Sequence, residues 1–184
     1  MNGEWGVLTT DHSQLTIMTL HELNTLPKQQ LIEELTKCCG SSAWVNKMLP
    51  FFPADDLVEL LEDAEEQWWK CSEEDWKEAF AQHPKIGDID SLKKKFASTA
   101  QWASGEQSGI STASPATIEA LADGNKQYEE KFGYIFIVSA TGKSADEMLA
   151  MLQQRLQNNP EVEIEIAADE QNKITKLRLE KLLE

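Results

Sequence analysis

The sequence predicts an all-α protein, a single compact helical domain of six or more helices with one extended segment near 134–140. Apolar residues recur at helical spacing along nearly the whole chain, and helix start and stop residues fall between the periodic stretches. Only residues 134–140 break the pattern, with a run of Ile135, Phe136, Ile137 and Val138 whose composition is that of a buried strand. A length of 184 residues suits one domain with a continuous core, and no internal repeat is visible.

The elements follow in order. Thr19-Leu20-His21-Glu22 has the form of a capping box, in which hydroxyl and carboxylate each satisfy a loose backbone N–H. Pro27 can open the next helix, turning Leu31, Ile32 and Leu35 inward until Gly40 stops it. A short helix around 44–49 comes next. After the break from Pro50 to Pro53, Asp55 can cap a helix whose Leu57, Leu60, Leu61, Ala64 and Trp68 make one stripe, with Glu59, Glu62, Asp63 and Glu66 on its solvated face. Ser72-Glu73-Glu74-Asp75 marks another start, after which Trp76, Ala79, Phe80 and His83 fall at i, i+3, i+4 and i+7. Pro84 disfavours helical dihedrals in the residue before it, so this helix should end about at His83, with Lys85-Ile86-Gly87-Asp88 turning beyond. A helix over about 91–110 is expected next, then one opened by Ser114-Pro115 that carries Ile118, Leu121, Ala122 and Phe132 and stops at Gly133. Ser144-Ala145-Asp146-Glu147 again has capping-box form ahead of Met148, Leu152 and Leu156, and Pro160 opens the last helix.

Charge excludes whole classes of function. Lys and Arg total 17 against 32 Asp and Glu, a formal charge of -15 at pH 7 that repels phosphate backbones and anionic headgroups, so no nucleic acid and no membrane is expected as partner. No apolar stretch approaches the roughly 20 residues of a spanning helix, and residues 1–16 lack a basic start followed by an apolar run. Cys38, Cys39 and Cys71 are an odd set, and bridging the adjacent pair would strain a small ring, which points to a reducing compartment. The C-terminal Lys181-Leu182-Leu183-Glu184 is not the small-basic-leucine peroxisomal address, which leaves a cytoplasmic location as the expectation.

Three side chains stand out as carriers of chemistry. His83 sits where a helix C-terminus meets a proline turn, and the carbonyl end of a helix favours an imidazolium, so a histidine there is suited to hold and deliver a proton. The competing structural reading is a residue that merely satisfies loose carbonyls. Glu106 shares a helical face with Leu92, Phe96, Thr99, Ala103 and Ile110, and a carboxylate in an apolar face needs a partner. A slightly rotated helix with Glu106 at the solvent edge is the alternative. Arg178 shares a face of the last helix with Ala167, Gln171, Ile174 and Leu182, which brings a guanidinium close to the core, although an Arg near a helix end is commonly a surface residue that complements the dipole.

A family resemblance joins these residues, and it covers nearly the whole chain from Leu23 onward. Its most specific stretch is Phe80-Ala81-Gln82-His83-Pro84-Lys85-Ile86-Gly87-Asp88, preceded by Cys38-Cys39-Gly40-Ser41-Ser42 and Trp68-Trp69. Ser104-Gly105-Glu106-Gln107-Ser108-Gly109 follows, then the stretch from Lys131 through Ala145, and finally Asp169-Glu170-Gln171-Asn172-Lys173-Ile174-Thr175-Lys176-Leu177-Arg178-Leu179. In this order these stretches resemble the signatures of the OHCU decarboxylases. Those enzymes convert 2-oxo-4-hydroxy-4-carboxy-5-ureidoimidazoline (OHCU), an intermediate of urate degradation, into (S)-allantoin and carbon dioxide.

The resemblance implies an all-α homodimer that works without cofactor or metal, and a functional link to a hydroxyisourate hydrolase. His83 would be the catalytic proton donor, Pro84 would shape the pocket, and Glu106 and Gln107 would meet the ureido and ring nitrogens of the substrate. The main chain of Phe136, Ile137, Val138, Ser139 and Ala140 would supply further hydrogen bonds, and Arg178 would hold the carboxylate or a ring oxygen. In many members a serine precedes the Glu by three positions, whereas here Ala103 does and Ser104 lies one later, so Ser104 is assigned no role. The chemistry agrees with the absence of cofactor motifs. Carboxylate and hydroxyl share one ring carbon beside a C=N bond, which can take up the electrons released with carbon dioxide, and the sequence offers neither a metal-ligand His/Cys spacing nor a Gly-rich phosphate loop. His83 and Glu106 would then govern proton transfers, with protonation from one face setting the (S) configuration.

Two other classes compete: a non-catalytic acidic helical interaction module, and a thiol switch built on Cys38 and Cys39. An extended run inside a helical protein bares main-chain N–H and C=O groups, which a polar substrate could answer. Trp44, Trp68, Trp76 and Trp102 are read as packing residues, and the acidic flank from Glu161 to Glu170 as a complement to a helix dipole. Residues 1–16 are read as an N-terminal arm, mobile or in contact with a second protomer, ahead of one domain over 17–184.

Overall fold

The computed structural model describes residues 17–83 and 114–184. Outside the described residues lie the arm read over 1–16, Pro84 and the turn after it, and the helix expected over 91–110 with Trp102, Glu106 and Gln107. Among the described residues the chain forms α1 (Leu20–Thr25), α2 (Lys28–Cys38), α3 (Ser42–Met48), a 3-10 turn (Leu49–Phe51), α4 (Leu57–Trp69), α5 (Glu73–Ala81), α6 (Pro115–Phe132), α7 (Ala145–Arg155) and α8 (Pro160–Leu182), and no strand. The protein is all-α, as expected.

The helix ends are fixed by local chemistry. Thr19, Ser72 and Ser144 each close a reciprocal capping box, with Glu22, Asp75 and Glu147, at the starts of α1, α5 and α7. Such a cap contributes about 1 kcal/mol. α4 is capped by Asp56 rather than Asp55: Asp56 Oδ1 accepts from the Glu59 N–H at 2.9 Å, and a side chain can reach that N–H only from the residue immediately before the helix. α5 ends at Ala81, two residues short of the expected end, and His83 N–H donates to the Phe80 carbonyl at 3.1 Å in a tightened last turn. Gly133 stops α6 in the left-handed region at φ 80, where only glycine sits without strain.

One long helix organises the packing. α8 is flanked by α2, α4 and α5, while α6 packs against α7. The Trp68 indole N–H donates to the Ala168 carbonyl of α8 at 2.9 Å, and that of Trp44 to the Ala64 carbonyl at 2.9 Å, so both buried tryptophans are packing residues with satisfied N–H groups. Leu35, Trp44, Leu60, Trp68, Phe80, Leu152 and Leu179 belong to a single buried cluster. The Met18 N–H donates to the Leu182 carbonyl at 2.8 Å, fastening the segment before α1 to the end of α8.

Residues 135–140 form neither helix nor ladder, and Phe136, Ile137, Val138 and Ser139 are all buried. The expectation that this run is bare is corrected at several positions. Arg155 Nη1 donates to the Ile137 carbonyl at 2.7 Å, the Ser139 N–H donates to Glu170 Oε2 at 2.6 Å, and Lys143 Nζ donates to the Ser139 carbonyl at 2.6 Å. Main-chain groups denied a ladder are thus satisfied by charged side chains of α7, α8 and the turn ahead of α7.

Arg155 is itself buried and compensated. Its Nε donates to Glu163 Oε1 at 2.7 Å, Asn158 Nδ2 donates to Glu163 Oε2 at 2.7 Å, the Tyr128 hydroxyl donates to Glu163 Oε1, and the guanidinium lies 4.6 Å from the centre of the Phe136 ring. Glu163 is wholly buried and Glu170 nearly so. The reading of the 161–170 flank as a complement to the helix dipole holds for Glu161 and Glu163 in the first turn of α8, and Glu163 and Glu170 are in addition tied inside the protein. They are internal anchors.

The thiol-switch reading also fails on burial. Cys38 and Cys39 are inaccessible, and burial pushes both thiols up to about 12, far from the reactive thiolate.

Two outcomes follow from this burial. Replacing Arg155 with Met leaves the Glu163 carboxylate buried without its cation, and urea unfolding should show a loss of about 3–5 kcal/mol; a loss below about 1 kcal/mol would contradict an internal charge cluster. Burial also raises Cys71 to about 11 and Tyr134 to about 12, and raises Tyr128 further. A raised folded-state value favours the neutral group, so stability is complete below the ordinary values of 9.0 and 10.0 and declines as pH climbs above them. Thermal unfolding scanned from pH 8 to 11 should show a progressive fall in Tm, whereas a flat profile would mean these groups are solvated.

Candidate functional site

The site is assembled where α5 ends. Gly40, in the loop after α2, lies so close to α5 that a Cβ there would stand 2.3 Å from Gln82 Cγ and 2.7 Å from Gln82 Cβ. Only glycine permits this approach. Ser42 reinforces it, since its N–H and hydroxyl both donate to Glu78 Oε2, at 2.9 and 3.0 Å. The Cys38–Ser42 segment therefore pins the last turn of α5 against the end of α2, and His83 follows directly from that turn.

His83 is partly buried, and its Nε2 lies 2.5 Å from Oε1 of Gln171 on α8. Gln171 is fully buried, and its Nε2 donates to the Thr175 hydroxyl at 3.2 Å. Thr175 in turn reaches the Cys39 sulfur. An unbroken polar line thus runs from the imidazole through α8 to the end of α2.

Arg178 stands on the same face of α8, seven residues beyond Gln171 and so about 10.5 Å further along the axis. Its Nη1 donates to the carbonyls of Lys37 and Cys38 at 3.2 and 3.3 Å. The guanidinium therefore caps α2. It complements a helix dipole, as a surface arginine would, but the dipole is that of another helix and the group is drawn toward the core. Burial lowers its pKa from the ordinary value, and a guanidinium remains charged throughout the working range. With Nη1 anchored, the fork of remaining N–H donors is held in a fixed plane suited to a carboxylate.

α8 is the helix that the described members of the expected set have in common. His83 meets it at Gln171, Arg178 belongs to it, and Ser139 of the buried run meets it at Glu170, next to Gln171. The face shared by Ala167, Gln171, Ile174, Arg178 and Leu182 is inward as expected, each of the five being buried or half-buried. Pro84, Glu106 and Gln107 lie outside the described residues. Gln171, Glu170 and Lys143 were not singled out in the sequence. An amide flanked at helical spacing by Ala167 and Leu182 was a usable signal for Gln171, whereas nothing local distinguishes the buried Glu170 from the exposed Glu161 and Glu165 of the same acidic flank. Among the described residues no three His, Cys, Asp or Glu gather as a metal site. A surface hollow lined by Gln127, Glu130, Lys131, Leu156 and Gln157 contains none of the residues above. Lys131 there is occupied in capping the Leu156 and Asn158 carbonyls, at 2.6 and 2.9 Å.

Comparison with known proteins places the chain in a family. The family model described as OHCU decarboxylase matches residues 24–180, which includes α2 through α8 almost entirely. The uric acid degradation bifunctional protein TTL of Arabidopsis thaliana is 38% identical over 151 residues, covering 82% of this chain and 46% of that protein. The 2-oxo-4-hydroxy-4-carboxy-5-ureidoimidazoline decarboxylase of Haloferax volcanii is 26% identical over 166 residues, covering 88% of this chain and 94% of that one. The chain thus spans about half the length of the bifunctional relative and nearly all of the archaeal one. Among solved structures, a crystal structure of OHCU decarboxylase in the presence of (S)-allantoin superposes with a TM-score of 0.67 at 37% identity, covering 82% of this chain and 96% of that chain. A crystal structure of (S)-allantoin synthase shares the fold at 18% identity, with a TM-score of 0.68 over 90% of this chain and 54% of that chain. With a family match running through every described element of the site, the chain belongs to the OHCU decarboxylase family.

Proposed function

We propose that this chain decarboxylates OHCU to (S)-allantoin, with His83 as the proton-transferring residue. The observation that carries the reading is the family match over residues 24–180, which includes His83, the buried run and Arg178. The interaction-module alternative draws no support from any relative.

The substrate supplies its own electron sink. The bond to the carboxylate breaks, its electron pair runs toward the adjacent C=N bond, and the ring nitrogen takes a proton. The enol left behind then loses its hydroxyl proton while the ureido-bearing carbon gains one on a single face, which sets the (S) centre. Arg178 would receive the substrate carboxylate on the N–H groups that its α2 contact leaves in plane. His83 would move the proton, paired with Glu106. Gln107 and Pro84 would bound the ureido side, and the main chain from Phe136 to Ala140 would serve where Arg155, Glu170 and Lys143 have not already claimed it. Protonation from one side needs the substrate held in one orientation, and a run fixed by three charged side chains is a rigid wall for that purpose.

The reading carries the family's further expectations of a cofactor-free, cytoplasmic homodimer, with residues 17–184 as its catalytic domain. A functional link to hydroxyisourate hydrolase belongs to the same expectation, and the match to half of a bifunctional uric acid degradation protein accords with it.

Freshly generated OHCU followed by circular dichroism tests the proposal. Wild-type protein should yield (S)-allantoin faster than the spontaneous reaction, and His83→Asn should fold normally while losing about a hundredfold or more of that rate. Racemic allantoin formed at the uncatalysed rate would refute the activity, and a His83→Asn variant with wild-type turnover would remove His83 from it.

A further inference from the structure

We propose that Gln171 is a positioning residue that holds His83 in one tautomer, with the proton on Nε2, so that Nδ1 is the nitrogen at which His83 gains and loses a proton. The inference rests on the reading of His83 as the proton-transferring residue.

The geometry sets the direction of each bond. Gln171 Nε2 donates to the Thr175 hydroxyl at 3.2 Å, which turns the amide oxygen toward His83, and that oxygen lies 2.5 Å from the imidazole Nε2. An amide oxygen only accepts, so the imidazole nitrogen facing it must carry the hydrogen. An amide oxygen is also far too weak a base to take that proton away. Nε2–H therefore persists through a catalytic cycle, and proton exchange falls to Nδ1. This is the division of labour expected of a histidine whose one ring nitrogen is fixed by a hydrogen bond while the other does chemistry.

Burial makes the orientation durable. Gln171 is fully buried and Thr175 nearly so, so neither can exchange its partner for solvent, and a Thr175 hydroxyl that gives its hydrogen to the Cys39 sulfur is left to accept from the amide NH2. The link between Thr175 and Cys39 anchors the far end of the line. Gly40 and Ser42 hold the near end by fixing the turn that carries His83. A merely structural glutamine would need none of this directionality, since it would bond either nitrogen of the ring equally well.

Nitrogen-15 labelled full-length protein separates the two roles, because two-bond proton–nitrogen spectra distinguish the tautomers of a neutral histidine directly. The signal is assigned by its loss in His83→Asn. Wild type at pH 8.5 should show His83 as the Nε2–H form. Gln171→Leu should give a mixture of tautomers, with kcat for OHCU lowered about ten- to a hundredfold and KM within about twofold of wild type. Thr175→Val removes only the hydroxyl that orients the amide, and should also give a tautomer mixture with a smaller loss of kcat. It keeps the test decisive if the Leu variant does not fold. An Nδ1–H tautomer in wild type overturns the inference, as does wild-type kcat in both variants. If His83→Asn proves fully active, the proposed role of His83 fails, and the tautomer spectra still decide whether Gln171 orients the ring.

Discussion

The structure depends on the burial of polar side chains along one helix. α8 carries Glu163, Glu170, Gln171, Asn172 and Thr175 at buried positions, where a polar group without a partner costs more than a typical hydrogen bond contributes. Most of these residues are met by a group from another element, while the buried Asn172 Oδ1 has no hydrogen-bond partner among the described residues. Glu163 is met by Arg155, Tyr128 and Asn158, Glu170 by the Ser139 N–H, Gln171 by His83, and the Asn172 amide by Glu65. Satisfying α8 therefore fixes where α5 ends, how the 135–140 run lies and which way α6 and α7 face. The same requirement that stabilises the fold sets the positions of the candidate site.

Much of this was legible in the sequence, for reasons of range. Capping boxes at Thr19, Ser72 and Ser144, the proline starts at Pro115 and Pro160 and the glycine stop at Gly133 act over three or four residues, so local pattern is enough to place them. The inward stripes of α4 and α6 were equally visible. The anomaly at 134–140 was also readable, because β-branched and aromatic residues in an unbroken row have no place on an amphipathic helix.

What was not legible depends on partners far along the chain. Glu163 and Glu170 read as part of an acidic flank beside a helix start, yet each is answered by a group 8 and 31 residues away, respectively, which no window on α8 contains. Periodicity fails on α8 because neighbours cover it on several sides, so polar and apolar residues share its buried faces. Arg178 was correctly drawn toward the core, but its tie to the carbonyls of α2 spans 140 residues and more. Asp56 displaced Asp55 as a cap because two adjacent acids make the local signal ambiguous by one position.

The central proposal is geometric: that His83, Arg178 and the buried run face one ligand. The most direct test is a crystal structure of this chain grown with (S)-allantoin. The account predicts the product within hydrogen-bond reach of His83, with the Arg178 guanidinium and the main chain of residues 136–140 on its other sides. An allantoin bound elsewhere, with His83 and Arg178 both more than a water's width from it, would contradict the account.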